Sequence, residues 1–276
     1  RNTAPVVGLA AAVLHQRDPH AVMAVLTADH FIGDEELFRE YLLAAYEIAR
    51  SGYLVTLGIE PTFPSTGFGY IQRGEMLGSF RDRQAYRVLR FKEKPALEQA
   101  HQFLASGDHT WNSGMFIWQV QDVQAEFARQ MPELHRRLQA LSQDWNTPEW
   151  HAALQRTWAP LPVVSIDYGI MEGAKHVAVI PTMDLGWFDV GSWDALFNVL
   201  PQDQDGNVIT AERGIALATH NTLLFSNQPS RLVVTIGVKD LVVVDTGDVV
   251  LICHKDQAQK VRLAVEQIKT KFPDLQ

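Results

Sequence analysis

The 276-residue chain has a single cysteine, Cys253. One thiol cannot close an internal disulfide, so no framework of cross-links is expected to hold the fold. Cys253 lies in the apolar run VVLICH (249–254), which reads as a buried strand, and the thiol reads as a core residue, not a redox centre. Positive charge is also short: 24 Lys and Arg stand against 32 Asp and Glu, for a net charge of −8. That balance argues against a nucleic-acid partner, because neutralising a phosphate backbone takes clustered basic residues. A local basic pocket for a small phosphate ligand stays open. No uninterrupted apolar run reaches the roughly 18 residues needed to cross a bilayer, so no membrane partner is expected and the expected location is the cytoplasm.

Two further absences bear on chemistry. The run Thr66-Gly-Phe-Gly-Tyr70 has no helix start behind it, so it is neither a dinucleotide fingerprint nor a P-loop. No Ser-His-Asp or Cys-His pattern points to a protein nucleophile. The opening RNTAPVVGLAAAVLHQRD superficially resembles a secretory leader, a basic residue followed by an apolar run. Thr3 as N-cap and Pro5 in the first turn make it instead the start of a mostly buried helix. Opening at Arg1, without an initiator methionine, the chain reads as the remainder of something longer.

With 46% hydrophobic and 20% charged residues, the composition is that of an ordinary globular chain, long enough to bury a sizeable core. AVMAVL (21–26) fits a buried strand. DEELFREYLLAAYEIARSG places Leu37, Tyr41, Ala44 and Ile48 at helical spacing closed by Gly52, and YLVTLGI (53–59) reads as the next strand. This alternation implies an α/β domain with a largely parallel sheet, in which ligands bind beyond the carboxyl ends of the strands. From Pro201 the character changes. DQDGN marks a loop, and TLLFSN, RLVVTIG, DLVVVD and VVLICH follow as short strands separated by turns, suggesting a small β-domain coiled in the solenoid sense. No sequence repeat is evident. A final helix is expected from Asp256, with Gln259 completing a capping box and Val261, Val265, Ile268 and Phe272 on one face.

Polar residues stand where packing alone would not ask for them. In GWFDVGSWD (186–194) Asp189 is set among aromatics and glycines, and Ser192 fits the cap of the following helix better. Asp29, in LTADH, stands just past a strand end; capping the next helix is its structural alternative. Far apart in sequence, the two carboxylates could together hold a hard divalent cation, since Mg²⁺ takes one or two carboxylates and fills its other positions with water and phosphates. His30 reads as a hydrogen-bonded neighbour, with no second His or Cys at ligand spacing. Glu93 and Lys94, after the strand YRVLRF and before Pro95, suit a sugar phosphate: the carboxylate accepts from hydroxyls and the ammonium neutralises the phosphate. A solvated charge cluster is the alternative. Asn112, between Trp111 and MFIW, could read another hydroxyl.

Together and in order, RNTAP (1–5), TADH (27–30), TGFGYI (66–71), FKEKP (91–95), WNSGMF (111–116), SIDYGIME (165–172), GWFDVGSW (186–193) and DLVVVDT (240–246) resemble the mannose-1-phosphate guanylyltransferases of the sugar nucleotidyltransferase superfamily. The resemblance implies an α/β fold: a Rossmann-like mixed, mostly parallel sheet of the nucleotidyltransferase type over 1–203, and a small β-helix-like domain over 204–276. It implies transfer of a nucleotidyl group from GTP to mannose 1-phosphate, giving GDP-mannose and pyrophosphate, by positioning and charge neutralisation. Asp29 and Asp189 would hold Mg²⁺ and, with Lys94, carry catalysis. Glu93, Lys94, Asn112 and the backbone at Gly69 would hold the sugar phosphate, Arg1, Asn2 and Thr3 would lie near the nucleotide, and the assembly would be a homodimer. The chain departs from the family at Thr27 (usually Pro), Ser65 (Glu), Phe68 (Tyr) and Gly173 (Lys); Phe68 cannot donate a hydroxyl and Gly173 carries no charge. The family's loop G-x-G-T-R-L-x-P is not in these residues, so weak or no turnover is expected of this stretch alone. The alternatives are a nucleotidyltransferase for another sugar phosphate or base, a non-catalytic paralogue that binds nucleotide sugars, and, from the β-rich tail, an interaction protein.

Overall fold

A computed structural model describes residues 2–275. The first helix α1 (Thr3–Arg17) is followed by β1 (Val22–Val25), the two-residue strand β2 (His30–Phe31), α2 (Glu35–Ala49), β3 (Leu54–Ile59), β4 (Tyr70–Phe80), β5 (Arg83–Lys92), α3 (Leu97–Ser106) and β6 (His109–Gln119). Then come α4 (Val120–Gln130), α5 (Pro132–Ser142), α6 (Trp150–Trp158), α7 (Ile166–Gly169), β7 (Val177–Thr182) and the short β8 (Phe188–Asp189). The chain divides into two compact units: Arg1–Ala28 with Gly33–Leu185, and Asp29–Ile32 with Gly186–Gln276.

In the first unit one sheet of six strands runs β1-β6-β3-β7-β5-β4. It is mixed, as expected, but its parallel share is smaller than the β–α–β alternation implied. Only β3 and β7 run parallel, while β1–β6, β3–β6, β5–β7, β4–β5 and β4–β6 are antiparallel. The reason lies in the long strands that enter between β3 and β7 in sequence. The ribbon β4–β5 turns tightly at Arg81 and Asp82, both at positive φ, and β6 returns beside β3. All six residues of β3 are buried, as a strand covered on both faces requires.

Small residues bring α1 close to the helices beneath it: a Cβ at Gly8 would stand 2.6 Å from Leu138 and 3.1 Å from Phe127. The cap of α1 is Asn2, not Thr3. The Asn2 Oδ1 accepts the Thr3 N–H at 2.8 Å, and the Thr3 hydroxyl instead accepts the N–H of Ile166 at 2.8 Å, tying the helix start to α7. Asp34 caps α2 through the Leu37 N–H (2.9 Å), with Tyr41, Ala44 and Ile48 buried as their spacing predicts.

In the second unit the strands β9 (Val208–Ile209), β11 (Leu223–Ser226) and β13 (Leu241–Asp245) stack in parallel, as do β10 (Arg213–Leu217) and β12 (Leu232–Ile236), while β14 (Val250–His254) closes the larger sheet antiparallel to β13. This is a coil of rungs, as expected. Equivalent residues such as Ser226 and Asp245, or Asn221 and Asp240, stand 19 apart, a structural repeat that the sequence does not display. The interior holds Phe197, Val208, Leu223, Val242 and Val244, with Cys253 half-buried against them.

Two capping expectations fail here. Ser192 stands at the cap position, but its hydroxyl donates to Asp194 and accepts from the Gln259 amide. Gln259 therefore closes no capping box, and Lys255–Lys260 winds as a tighter 3₁₀ turn, so the final helix runs only Val261–Lys271. Among the described residues no helix is long and apolar enough to cross a membrane.

Candidate active site

In the first unit, Glu93 leaves the end of β5 and Lys94 follows at φ 44°, a left-handed turn that a lysine adopts at a cost. That turn tucks Glu93 inward, where it is 9% exposed, while Lys94 remains open with its Nζ 3.7 Å from Glu93 Oε1. The Glu93 backbone N–H donates to Glu172 Oε1 at 3.0 Å. Its other carboxyl oxygen, Oε2, is buried with no hydrogen-bond partner among the described residues. Burial pushes the Glu93 carboxyl up to about 7, Asp167 and Glu172 adding to the effect of burial and Lys94 opposing it.

Gly69 faces that oxygen. A Cβ built on it would lie 2.3 Å from Glu93 Oε2 and 3.2 Å from the Asn112 Cβ, so only glycine leaves the backbone bare at this point. Asn112, on β6, donates its backbone N–H to the Gly69 carbonyl at 2.8 Å. Its Nδ2 donates to Asp167 Oδ1 (2.8 Å), and its Oδ1 accepts from the Gly114 N–H (3.1 Å) and the Thr56 hydroxyl (3.4 Å). Burial raises the Asp167 carboxyl against the pull of its hydrogen bonds, those to Asn112 and Ser165 included, and of Lys94. Phe63 and Phe68 pack against Trp111 beside this group, at ring centroid distances of 4.9 and 5.0 Å. Gly69, Glu93, Lys94 and Asn112, widely spaced in sequence, thus form one cradle.

Sequence reasoning assigned no role to Asp167 or Glu172, although both lie in the quoted stretch SIDYGIME. Two acids in a run that ends at a buried helix turn were the available signal. At Gly173 a Cβ would stand 2.2 Å from Gln130 Oε1, and Arg129 donates to the Gly173 carbonyl. A lysine there would first have to displace Gln130. Of the three residues expected near a nucleotide, Arg1 lies outside the described residues, and the Asn2 and Thr3 side chains are occupied at the start of α1.

In the second unit β2 and β8 pair antiparallel, with His30 opposite Asp189 and Phe31 opposite Phe188, and the Val190 N–H donates to the Asp29 carbonyl at 3.0 Å. This ribbon brings the segments of Asp29 and Asp189, 160 positions apart in sequence, side by side, with both carboxylates in electrostatic reach of the His30 imidazole. Burial lowers the His30 ring pKa, against the pull of the Asp189 and Asp29 carboxylates. Its Nδ1 accepts the Trp187 indole N–H at 3.0 Å, so His30 is the hydrogen-bonded neighbour expected. Helix α2 is capped by Asp34, and neither Asp29 nor Asp189 caps a helix. Among the described residues no three or more His, Cys, Asp or Glu gather as a metal-binding group. The two carboxylates, flanked by Gly191, whose Cβ would stand 3.0 Å from Asp189 Oδ1, are hard oxygen donors in the number that Mg²⁺ takes from protein.

Residues 1–206 match the nucleotidyl transferase family, and residues 212–268 match the MannoseP isomerase/GMP-like beta-helix domain. The mannose-1-phosphate guanylyltransferase of Escherichia coli strain K12 is 40% identical over 275 residues, covering 98% of this chain and 56% of that protein. The xanthan biosynthesis protein XanB of Xanthomonas campestris pv. campestris is 39% identical with the same coverage. The chain thus spans about half the length of the curated relatives it matches. The crystal structure of mannose-1-phosphate geranyltransferase from Thermus thermophilus shares 36% identity and a TM-score of 0.83, over 98% of this chain and 76% of that one. A mixed sheet carrying a bare-glycine cradle, a parallel β-coil behind it in sequence, and these matches lead to one conclusion: the chain belongs to the nucleotidyl transferase family.

Proposed function

We propose that the protein transfers the guanylyl group of GTP to α-D-mannose 1-phosphate, giving GDP-mannose and pyrophosphate. The observation that carries the reading is the cradle of Gly69, Glu93 and Asn112, in which a buried carboxyl oxygen without a partner faces bare backbone, beside the exposed ammonium of Lys94. A hexose hydroxyl supplies the partner that Glu93 Oε2 lacks, and Lys94 neutralises the phosphate the hexose carries. An oxygen of that phosphate forms a bond to the α-phosphorus of GTP while the bond to the β-phosphate oxygen breaks and pyrophosphate leaves. No protein nucleophile is needed; the residues orient the attacking oxygen and balance charge. Asp29 and Asp189 would hold a divalent cation, Mg²⁺ in this reading, and when bound it supplies charge neutralisation at the triphosphate. Arg1, Asn2 and Thr3 belong to the nucleotide side in this reading.

In the same reading residues 1–203 form the catalytic domain and 204–276 the β-rich one. The protein works as a homodimer in the cytoplasm on small substrates and not on nucleic acid. The two family matches, over 1–206 and 212–268, support the two domains, and the net charge of −8 supports the last point. A matrix of nucleoside triphosphates against sugar 1-phosphates, read by pyrophosphate release in the whole protein, tests it. GTP with mannose 1-phosphate is expected to exceed every other pair, and preference for another pair overturns the assignment.

A further inference from the structure

The amide of Asn112 is held at both ends by groups that permit one orientation only. Its Oδ1 faces the Gly114 N–H at 3.1 Å, a donor that cannot accept, and its Nδ2 faces Asp167 Oδ1 at 2.8 Å, where an ionised carboxylate can only accept. A flipped amide would set NH₂ against N–H and oxygen against carboxylate, losing both bonds at once. With the Thr56 hydroxyl also on Oδ1 (3.4 Å), the second Nδ2 hydrogen is the one hydrogen-bonding group of this side chain with no partner among the described residues. The same Asn112 bonds the Gly69 carbonyl through its backbone and stands against the Gly69 Cα, across from the unpartnered oxygen of Glu93. Asp167 is itself fixed by the first turn of α7, whose cap, Ser165, accepts the Tyr168 N–H, and the neighbouring Ile166 N–H is bonded to Thr3.

We propose that Asp167 is a positioning residue that orients Asn112 so that the cradle offers a hexose an amide donor beside the Glu93 carboxyl. This inference rests on the sugar-phosphate reading of the cradle. It adds that selectivity for hydroxyl configuration is set partly by a residue outside the sugar's own contacts: Asp167, together with the Gly114 N–H, holds Asn112 so that it presents a hydrogen and not an oxygen.

A double-mutant cycle on mannose 1-phosphate binding to the whole protein, measured by calorimetry, tests it. Asp167→Ala is expected to weaken binding about 10-fold in the wild-type background and less than about 2-fold in Asn112→Ala, because the effect runs through the amide. Asp167→Asn, which keeps an acceptor at the same place, is expected to stay within about 3-fold of wild type. No loss in Asp167→Ala, or an equal loss in both backgrounds, overturns the inference. Glucose 1-phosphate and N-acetylglucosamine 1-phosphate are titrated into the wild type alongside. If one of them binds in preference, the mannose assignment fails and the cycle is run on that ligand. A ligand-free measurement stands beside the cycle: the side-chain NH₂ resonances of Asn112 are expected to show slowed exchange in wild type and Asp167→Asn. Fast exchange in the wild type overturns the inference whatever the ligand, and whether or not Asp167→Ala folds.

Discussion

At the scale of single residues the cradle depends on what is missing at Gly69. A methyl group there would stand 2.3 Å from a buried carboxyl oxygen. Gly69→Ala is therefore expected to displace Glu93, costing about 1–3 kcal/mol of stability and at least about 10-fold in sugar-phosphate affinity, checked by denaturant titration and calorimetry. Glu93 leads to a pH prediction with a definite sign. Its carboxyl is raised in the folded state to about 7, so between its unfolded value near 4.5 and about 7 the folded state binds the extra proton. Its contribution to stability is thus greatest at low pH and declines as pH rises through that window. Relative to Glu93→Gln, which cannot titrate, the wild-type melting temperature should fall by a few degrees between pH 4.5 and 7.5. Parallel melting curves across that range would remove Glu93 from the account. In the second unit, Asp189 stands opposite His30 in the short ribbon of β2 and β8. Asp189→Asn is expected to lower guanylyl transfer in the whole protein by more than about 100-fold while leaving unfolding cooperative, as seen by paired kinetics and calorimetry. Unchanged turnover would exclude it from cation binding.

At the scale of elements, the β-coil is tied by a buried asparagine as well as by its apolar interior. Asn207 is almost fully buried and bridges turns of successive rungs. Its Nδ2 donates to Asp203 and to the Thr219 carbonyl, and its Oδ1 accepts the Thr222 N–H. Asn207→Ala would strand a buried carbonyl and a buried N–H, each worth about 1–3 kcal/mol when unsatisfied. The expected loss is about 2–4 kcal/mol, seen as faster hydrogen exchange through β9, β11 and β13; unchanged protection there would mean that water takes over the bonds. The repeat behind this element was not legible in the sequence, because successive rungs share only the alternation of buried positions and a few turn residues. Helix α2 was legible in its apolar face, since four apolar residues at helical spacing are a local signal, but its cap is Asp34, a residue the sequence reading did not single out. The capping box at Gln259 was also a local signal, yet tertiary contact overrode it: the Gln259 amide is drawn to Ser192, far away in sequence.

At the scale of the whole molecule, the sequence by itself determined the class of the chain, the change of character after Pro201, the small share of basic residues, and the residue types that sugar phosphates and hard cations require. Eight short stretches in one order carried the family resemblance that the comparisons bear out. Periodicity records which face of an element is buried but not which element lies beside it, and strand direction follows from the path of the connections. The predominantly antiparallel sheet was therefore decided only in three dimensions, where β4, β5 and β6 enter beside β3 and β7. So were the pairing of the His30 strand with the Asp189 strand and the hold of Asp167 on Asn112. A hydrogen bond between residues 55 positions apart leaves no trace in local pattern, and exists only once two distant segments are packed close enough for an amide and a carboxylate to satisfy each other.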